Sequence, residues 1–149
     1  MNEIIIALQL IYPKVVFANG DQFSWSAQTK TITYSQTSDT SSDTWSLLHE
    51  VGHATLEHSD FETDIDLLLK ESAAWEVAQQ LGVKYKTVVP QYYIDNCLDS
   101  YRDWLNKRST CPYCGSQGLQ TSIKVYMCIN CNRPWCVTQN RLCRPYRKK

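Results

Sequence analysis

LLHEVGHATLEH, Leu47 to His58, holds all three histidines of a 149-residue chain. His49 and His53 stand four residues apart, so on a helix they project from one face, one turn above the other. Two imidazoles at that spacing can share one zinc ion. Glu50 is rotated by about 100° from His49 and lies beside the pair. A carboxylate there can take a proton from water on the metal, whose pKa zinc lowers towards ~7, and later pass it to a leaving amine. This is the HExxH arrangement, here H-E-V-G-H. The bland alternative is a surface helix with incidental histidines. Against it stands the setting: the polar stretch SQTSDTSSD precedes the helix, and Ser42 or Asp43 can cap it.

A catalytic site needs a third protein ligand and an open position. His58 lies nine residues past His49, half a turn out of phase on a continuing helix, and is expected to point away. Glu57 shares the face but lies about 12 Å along the axis at roughly 1.5 Å per residue, too far to close one coordination sphere. The ligand must come from another element, and Glu71 is the best candidate. The second helix, read from Asp64 to Leu81 with Gly82 as its stop, places Glu71 in its apolar stripe between Leu67/Leu68 and Ala74/Trp75. An unpaired carboxylate there is costly to bury, and coordination removes that cost. The alternative is a glutamate at the stripe margin, paired with Lys70 or solvated.

Upstream, residues 3 to 12 read as a buried helix ended by Pro13, and the segment from Val15 to Ser35 as short strands. Asn19-Gly20-Asp21 is strong turn chemistry, and Ile32 and Tyr34 share one strand face. A third helix starts near Pro90, its stripe running Ile94, Cys97, Leu98, Tyr101, Trp104, Leu105. The chain's first apolar run stops well short of the ~20 residues that span a bilayer, and Glu3 stands where an export signal would be basic. We therefore expect a cytoplasmic protein without a membrane partner, whose seven cysteines hold metal and not disulfides.

Six of those cysteines lie from Cys111 to Cys143. Cys111 and Cys114 in CPYCG, with Cys128 and Cys131 in CINC, form two CxxC knuckles that resemble a zinc ribbon. Each turn aims two thiolates at one point, and two turns complete a closed, structural four-thiolate zinc site. Cys136 and Cys143 are surplus, each either a replacement for a knuckle cysteine or a free thiol. Charge divides nearby: residues 107–149 carry nine Lys and Arg and no acid, +9, against −9 for the remainder. The tail residues Arg141, Arg144, Arg147, Lys148 and Lys149 suit contact with nucleic acid or another partner, with internal docking or solvation as alternatives.

HEVGHATLEH followed by ESAAWEVAQQL resembles the gluzincin peptidases, most closely the compact ImmA/IrrE-like group. The resemblance covers roughly residues 14 to 82. It implies His49, His53 and Glu71 as zinc ligands, Glu50 as general base, and Ala74, Trp75 and Ala78 as packing positions. It also implies a strand edge beside the zinc helix, Thr31 to Ser35, to which a substrate peptide adds by backbone hydrogen bonds. The expected architecture is α+β: a small zincin-like domain, residues 1–106, with helices on a short antiparallel or mixed sheet, then a zinc ribbon, residues 107–149. Two zinc ions are expected, one catalytic and one structural. The expected function is peptide-bond hydrolysis of a protein substrate, the ribbon recruiting substrate or nucleic acid. Tyr92 and Tyr93 are candidates for stabilising the oxyanion. SprT-like proteases, which act on DNA-bound proteins, also follow HExxH with a ribbon containing Y-x-C-x-x-C, here YMCINC. They take their third ligand from a downstream histidine, and none follows His58. A non-catalytic zinc-binding adaptor or DNA-binding regulator with a degenerate peptidase fold is the third reading. Glu50 argues against it, because a scaffold has no need of that carboxylate.

Overall fold

The structure, a computed structural model, describes residues 1–35, 40–138 and 147–148, the last two in backbone only. It is α+β. Along the chain come α1 (Asn2–Ile11), β1 (Val16–Asn19), β2 (Ser24–Ser26), β3 (Thr31–Tyr34), α2 (Ser41–Thr55), α3 (Asp64–Lys84), α4 (Gln91–Ser109), β4 (Gly118–Ser122), β5 (Val125–Cys128), β6 (Pro134–Val137) and β7 (Arg147–Lys148). By packing they form two compact units, Met1–Asp60 with Lys70–Ile94, and Phe61–Leu69 with Asp95–Lys149. Among the described residues no helix is long and apolar enough to cross a membrane.

The first unit is built on a mixed three-stranded sheet in the order β1-β3-β2, with β1 parallel and β2 antiparallel to β3. Ile32 and Tyr34 turn one face of β3 into the core, as their alternation predicts. β3 is the central strand, so Thr31 to Ser35 is not the open edge that the resemblance implied. β1 and β2 are the edges. The helix α1 buries only Ile5 and Leu8 and leaves Ile6 and Leu10 exposed, so its apolar run is half-covered and not buried throughout.

Thr40 caps α2, two residues earlier than Ser42 and three earlier than Asp43 would. Its hydroxyl accepts from the Asp43 amide at 3.3 Å while the Asp43 carboxylate accepts from the Thr40 amide at 3.0 Å. This reciprocal box satisfies two amides at the helix start. Leu47, Leu48 and Val51 lose all exposure on the core face of α2. Gly82 does not stop α3. The helix continues to Lys84, and Lys86 takes the left-handed conformation, φ 56°, that ends it. Gly82 is needed for space instead, since a Cβ there would overlap the carbonyl oxygen of Thr87.

In the second unit, β4-β5-β6-β7 form an antiparallel sheet over a small core of Cys111, Tyr126, Cys128, Trp135 and Val137. Trp135 stacks on Tyr126 at 5.5 Å and donates its indole N–H to the Arg108 carbonyl at 3.0 Å. Arg108, with no exposed surface, pairs with buried Asp64 at 3.3 Å, donates to the Thr138 carbonyl at 2.6 Å and lies over Trp104. Burial pushes the Asp64 pKa up and that of Arg108 down, each opposed by the partner's charge. One of the nine cations counted in this segment is therefore spent inside the protein.

Candidate functional site

The periodicity of α2 puts His49 and His53 on one face, and the stripe of α3 puts Glu71 opposite them. Glu71 Oε2 lies 3.1 Å from His49 Nε2 and 3.7 Å from His53 Nε2, and the two Nε2 atoms are 3.1 Å apart. Tetrahedral bonds of about 2.0–2.1 Å separate ligand atoms by about 3.3 Å, so three donors at these spacings fit around one ion. His49 and Glu71 are buried and His53 is half-buried. Burial alone would raise the Glu71 pKa. Hydrogen bonds and positive charge from His49 and His53, when those rings carry a proton on Nε2, overcome it and hold the carboxyl below the usual carboxylate range. Lys70 reaches elsewhere, its ammonium donating to the Asp60 carbonyl at 2.9 Å.

Side chains behind the donors fix their rings. Trp75, one turn past Glu71, stacks on His49 with centroids 4.1 Å apart. Tyr93 packs edge-on against Trp75, and its hydroxyl lies 3.2 Å from Ser46 Oγ. Tyr92 is exposed. Neither tyrosine hydroxyl is shown among the three donors. Glu50 follows His49 on α2 and is half-buried. Beside the last turn of α2, a groove of about 490 Å³ is lined by Tyr12, Val15, Trp25, Ala27, Ala54 and Glu57 among others.

The approach of α2 to α3 rests on Gly52, within the HEVGH segment. A Cβ built there would overlap the carbonyl oxygen of Ala74, one turn from Glu71. Gly52→Ala is therefore expected to force the helices apart, costing about 1–3 kcal/mol of stability and weakening metal uptake by His49, His53 and Glu71. Thermal unfolding and a metal titration of the variant check this; wild-type values in both would mean that the helices have room to spare.

His58 departs from expectation. The helix ends at Thr55, Glu57 turns left-handed at φ 52°, and the chain folds back instead of continuing in phase. His58 Nδ1 thereby comes within 2.9 Å of His53 Nδ1. Sequence reasoning missed this contact because the stop carries glutamate in place of the glycine that usually marks it.

A second donor cluster comprises Cys111, Cys114, Cys128 and Cys131, whose sulfurs lie within 4.8 Å of one another. Cys111 and Cys131 are 3.7 Å apart, Cys114 and Cys128 3.5 Å. Tetrahedral metal–sulfur bonds of about 2.3 Å give about 3.8 Å between sulfurs. The knuckles share one design. The residue after each second cysteine, Gly115 at φ 75° and Asn132 at φ 55°, donates its amide to the carbonyl of the first, at 3.0 and 3.1 Å. Amides of Tyr113 and Asn130 point at the sulfurs of Cys111 and Cys128. The backbone N–H and hydroxyl of Ser116 pull the Cys114 thiol down to about 6, so it ionises readily.

Cys136 is exposed and outside this cluster. Cys143, Arg141, Arg144 and Lys149 lie outside the described residues, and Arg147 and Lys148 are described only as the backbone of β7. No protein-family model, curated protein or solved structure matches the chain.

Proposed function

We propose that this chain is a zinc-dependent peptidase of the gluzincin type, with His49, His53 and Glu71 as ligands of a catalytic zinc ion and Glu50 as general base. The observation that carries the reading is the convergence of three donors from α2 and α3, with a carboxylate next to the first of them. Two neutral imidazoles and one carboxylate suit zinc and leave a coordination position for substrate chemistry. Zinc held there supplies Lewis acidity, polarising a carbonyl and acidifying water. Glu50 then accepts the proton of the attacking water and returns it to the leaving amine. Trp75 holds the His49 ring and keeps one side of the site apolar. A substrate peptide adds by backbone hydrogen bonds to β2, an edge strand of the sheet that packs on α2. The four cysteines hold a second, structural zinc ion, and the ribbon with its basic tail recruits the substrate or a nucleic acid bearing it.

The test is metal analysis combined with peptide cleavage. Wild type is expected to carry two zinc ions and to cleave. Glu71→Ala is expected to keep the ribbon ion, lose the other, and lose cleavage with it. One zinc per chain, abolished by changing Cys111 and Cys114 to Ser, would leave the catalytic site without support.

A further inference from the structure

The end of α2 has a defined geometry. The His58 amide donates to the His53 carbonyl at 3.0 Å and the Glu57 amide to the Ala54 carbonyl at 3.2 Å, with Glu57 left-handed between helix and loop. This is the Schellman arrangement, in which the residue two past the cap packs its side chain back on the residue three before it. That contact is ordinarily apolar. Here both partners are histidines, His58 on His53, with Nδ1 to Nδ1 at 2.9 Å. The His58 carbonyl is pinned in turn by the Trp25 indole N–H at 2.8 Å. His53 thus presents Nε2 to His49 and Glu71 and Nδ1 to His58, from opposite sides of one ring.

We propose that His58 is a positioning residue that fixes the tautomer and orientation of the metal ligand His53. The proposal rests on the reading of His49, His53 and Glu71 as a metal site. A neutral imidazole that binds metal through Nε2 carries its proton on Nδ1. His53 Nδ1–H therefore donates to His58 Nδ1, which accepts because the His58 proton sits on its own Nε2. Ligating histidines commonly donate their second N–H to a carboxylate, carbonyl or water, and such partners orient the ring and raise its basicity. In this chain an imidazole fills that place, and the helix terminus itself delivers it. The consequence is a metal ligand oriented by a residue five positions away in sequence, independent of α3.

The test separates hydrogen bonding from packing. Full-length protein with zinc in the ribbon is titrated with Co(II), whose ligand-field absorption reports the His/His/Glu site without thiolate charge transfer, and affinity is read by chelator competition. His58→Leu keeps an apolar contact at the helix end but has no acceptor. His58→Asn places a carbonyl oxygen near the position of Nδ1 and accepts. His58→Leu and His58→Ala are expected to weaken Co(II) binding by about 10–100-fold, and His58→Asn to recover most of that loss. Leu binding as tightly as wild type, or Asn as weakly as Ala, would overturn the proposal. Its failure is distinguishable from failure of the metal-site reading, which would show as wild-type protein that takes up no Co(II) outside the ribbon.

Discussion

Glu50→Gln should retain its full complement of zinc while losing peptide hydrolysis by about 10²–10⁴-fold, the range that general acid–base catalysis contributes. The substitution keeps size and hydrogen-bonding shape but removes the ability to take a proton. Because Glu50 is outside the three-donor cluster of His49, His53 and Glu71, metal retention and activity should separate. They should fall together in Glu71→Ala, where the donor itself is removed. Kinetics on any peptide the wild type cleaves, paired with metal content of the same preparations, provides the measurement. Glu50→Gln turning over at the wild-type rate would remove the proposed mechanism, whatever the metal content.

Stripping metal from the ribbon should unfold it. Its core comprises two cysteines, Tyr126, Trp135 and Val137, with Tyr113 and Cys131 packed alongside. So little apolar surface does not offset the entropy of ordering the surrounding loops. Binding of structural zinc contributes about 10–16 kcal/mol in small cysteine and histidine modules at neutral pH. Cys128→Ser, at a sulfur with no exposed surface, is therefore expected to abolish the near-ultraviolet circular dichroism of stacked Trp135 and Tyr126. Graded chelation should proceed in two stages, because an open site exchanges metal more readily than a closed one. Activity should disappear first and the aromatic signal of the ribbon later. A ribbon whose aromatic signal survives complete metal removal would show that its side-chain core suffices.

Much of the candidate site was legible because it lies on long regular helices, where residue spacing translates directly into direction. His49, His53 and Glu71 meet as helical phase predicts, and four cysteines in two short turns had few places to go. Errors arose where regular structure ends. Continuing the phase of α2 beyond Thr55 points His58 away from the site, and Glu57 in a left-handed conformation gives no compositional warning. Gly82 looked like a stop because glycine often is one, yet its missing Cβ makes room for the Thr87 carbonyl and Lys86 ends the helix. The place of β3 depends on long-range pairing with β1 and β2, which alternation within one strand does not encode. Asp64 and Arg108 bind each other across 44 positions, and no local pattern marks either as a partner.

Gly52 changes how much the five letters HEVGH specify. Written as a search pattern, HExxH treats its two middle positions as free, and short patterns with free positions recur by chance. In this chain Val51 is sealed in the core and Gly52 has a carbonyl where a side chain would begin. All five positions are constrained: two by donor geometry, one by the carboxylate, and two by packing. A chance occurrence on some other helix need satisfy only three of those demands. The informative signature of this chain is thus a joint one: a glycine between the two histidines, where the backbone of α3 at Ala74, one turn past Glu71, leaves no room for a Cβ.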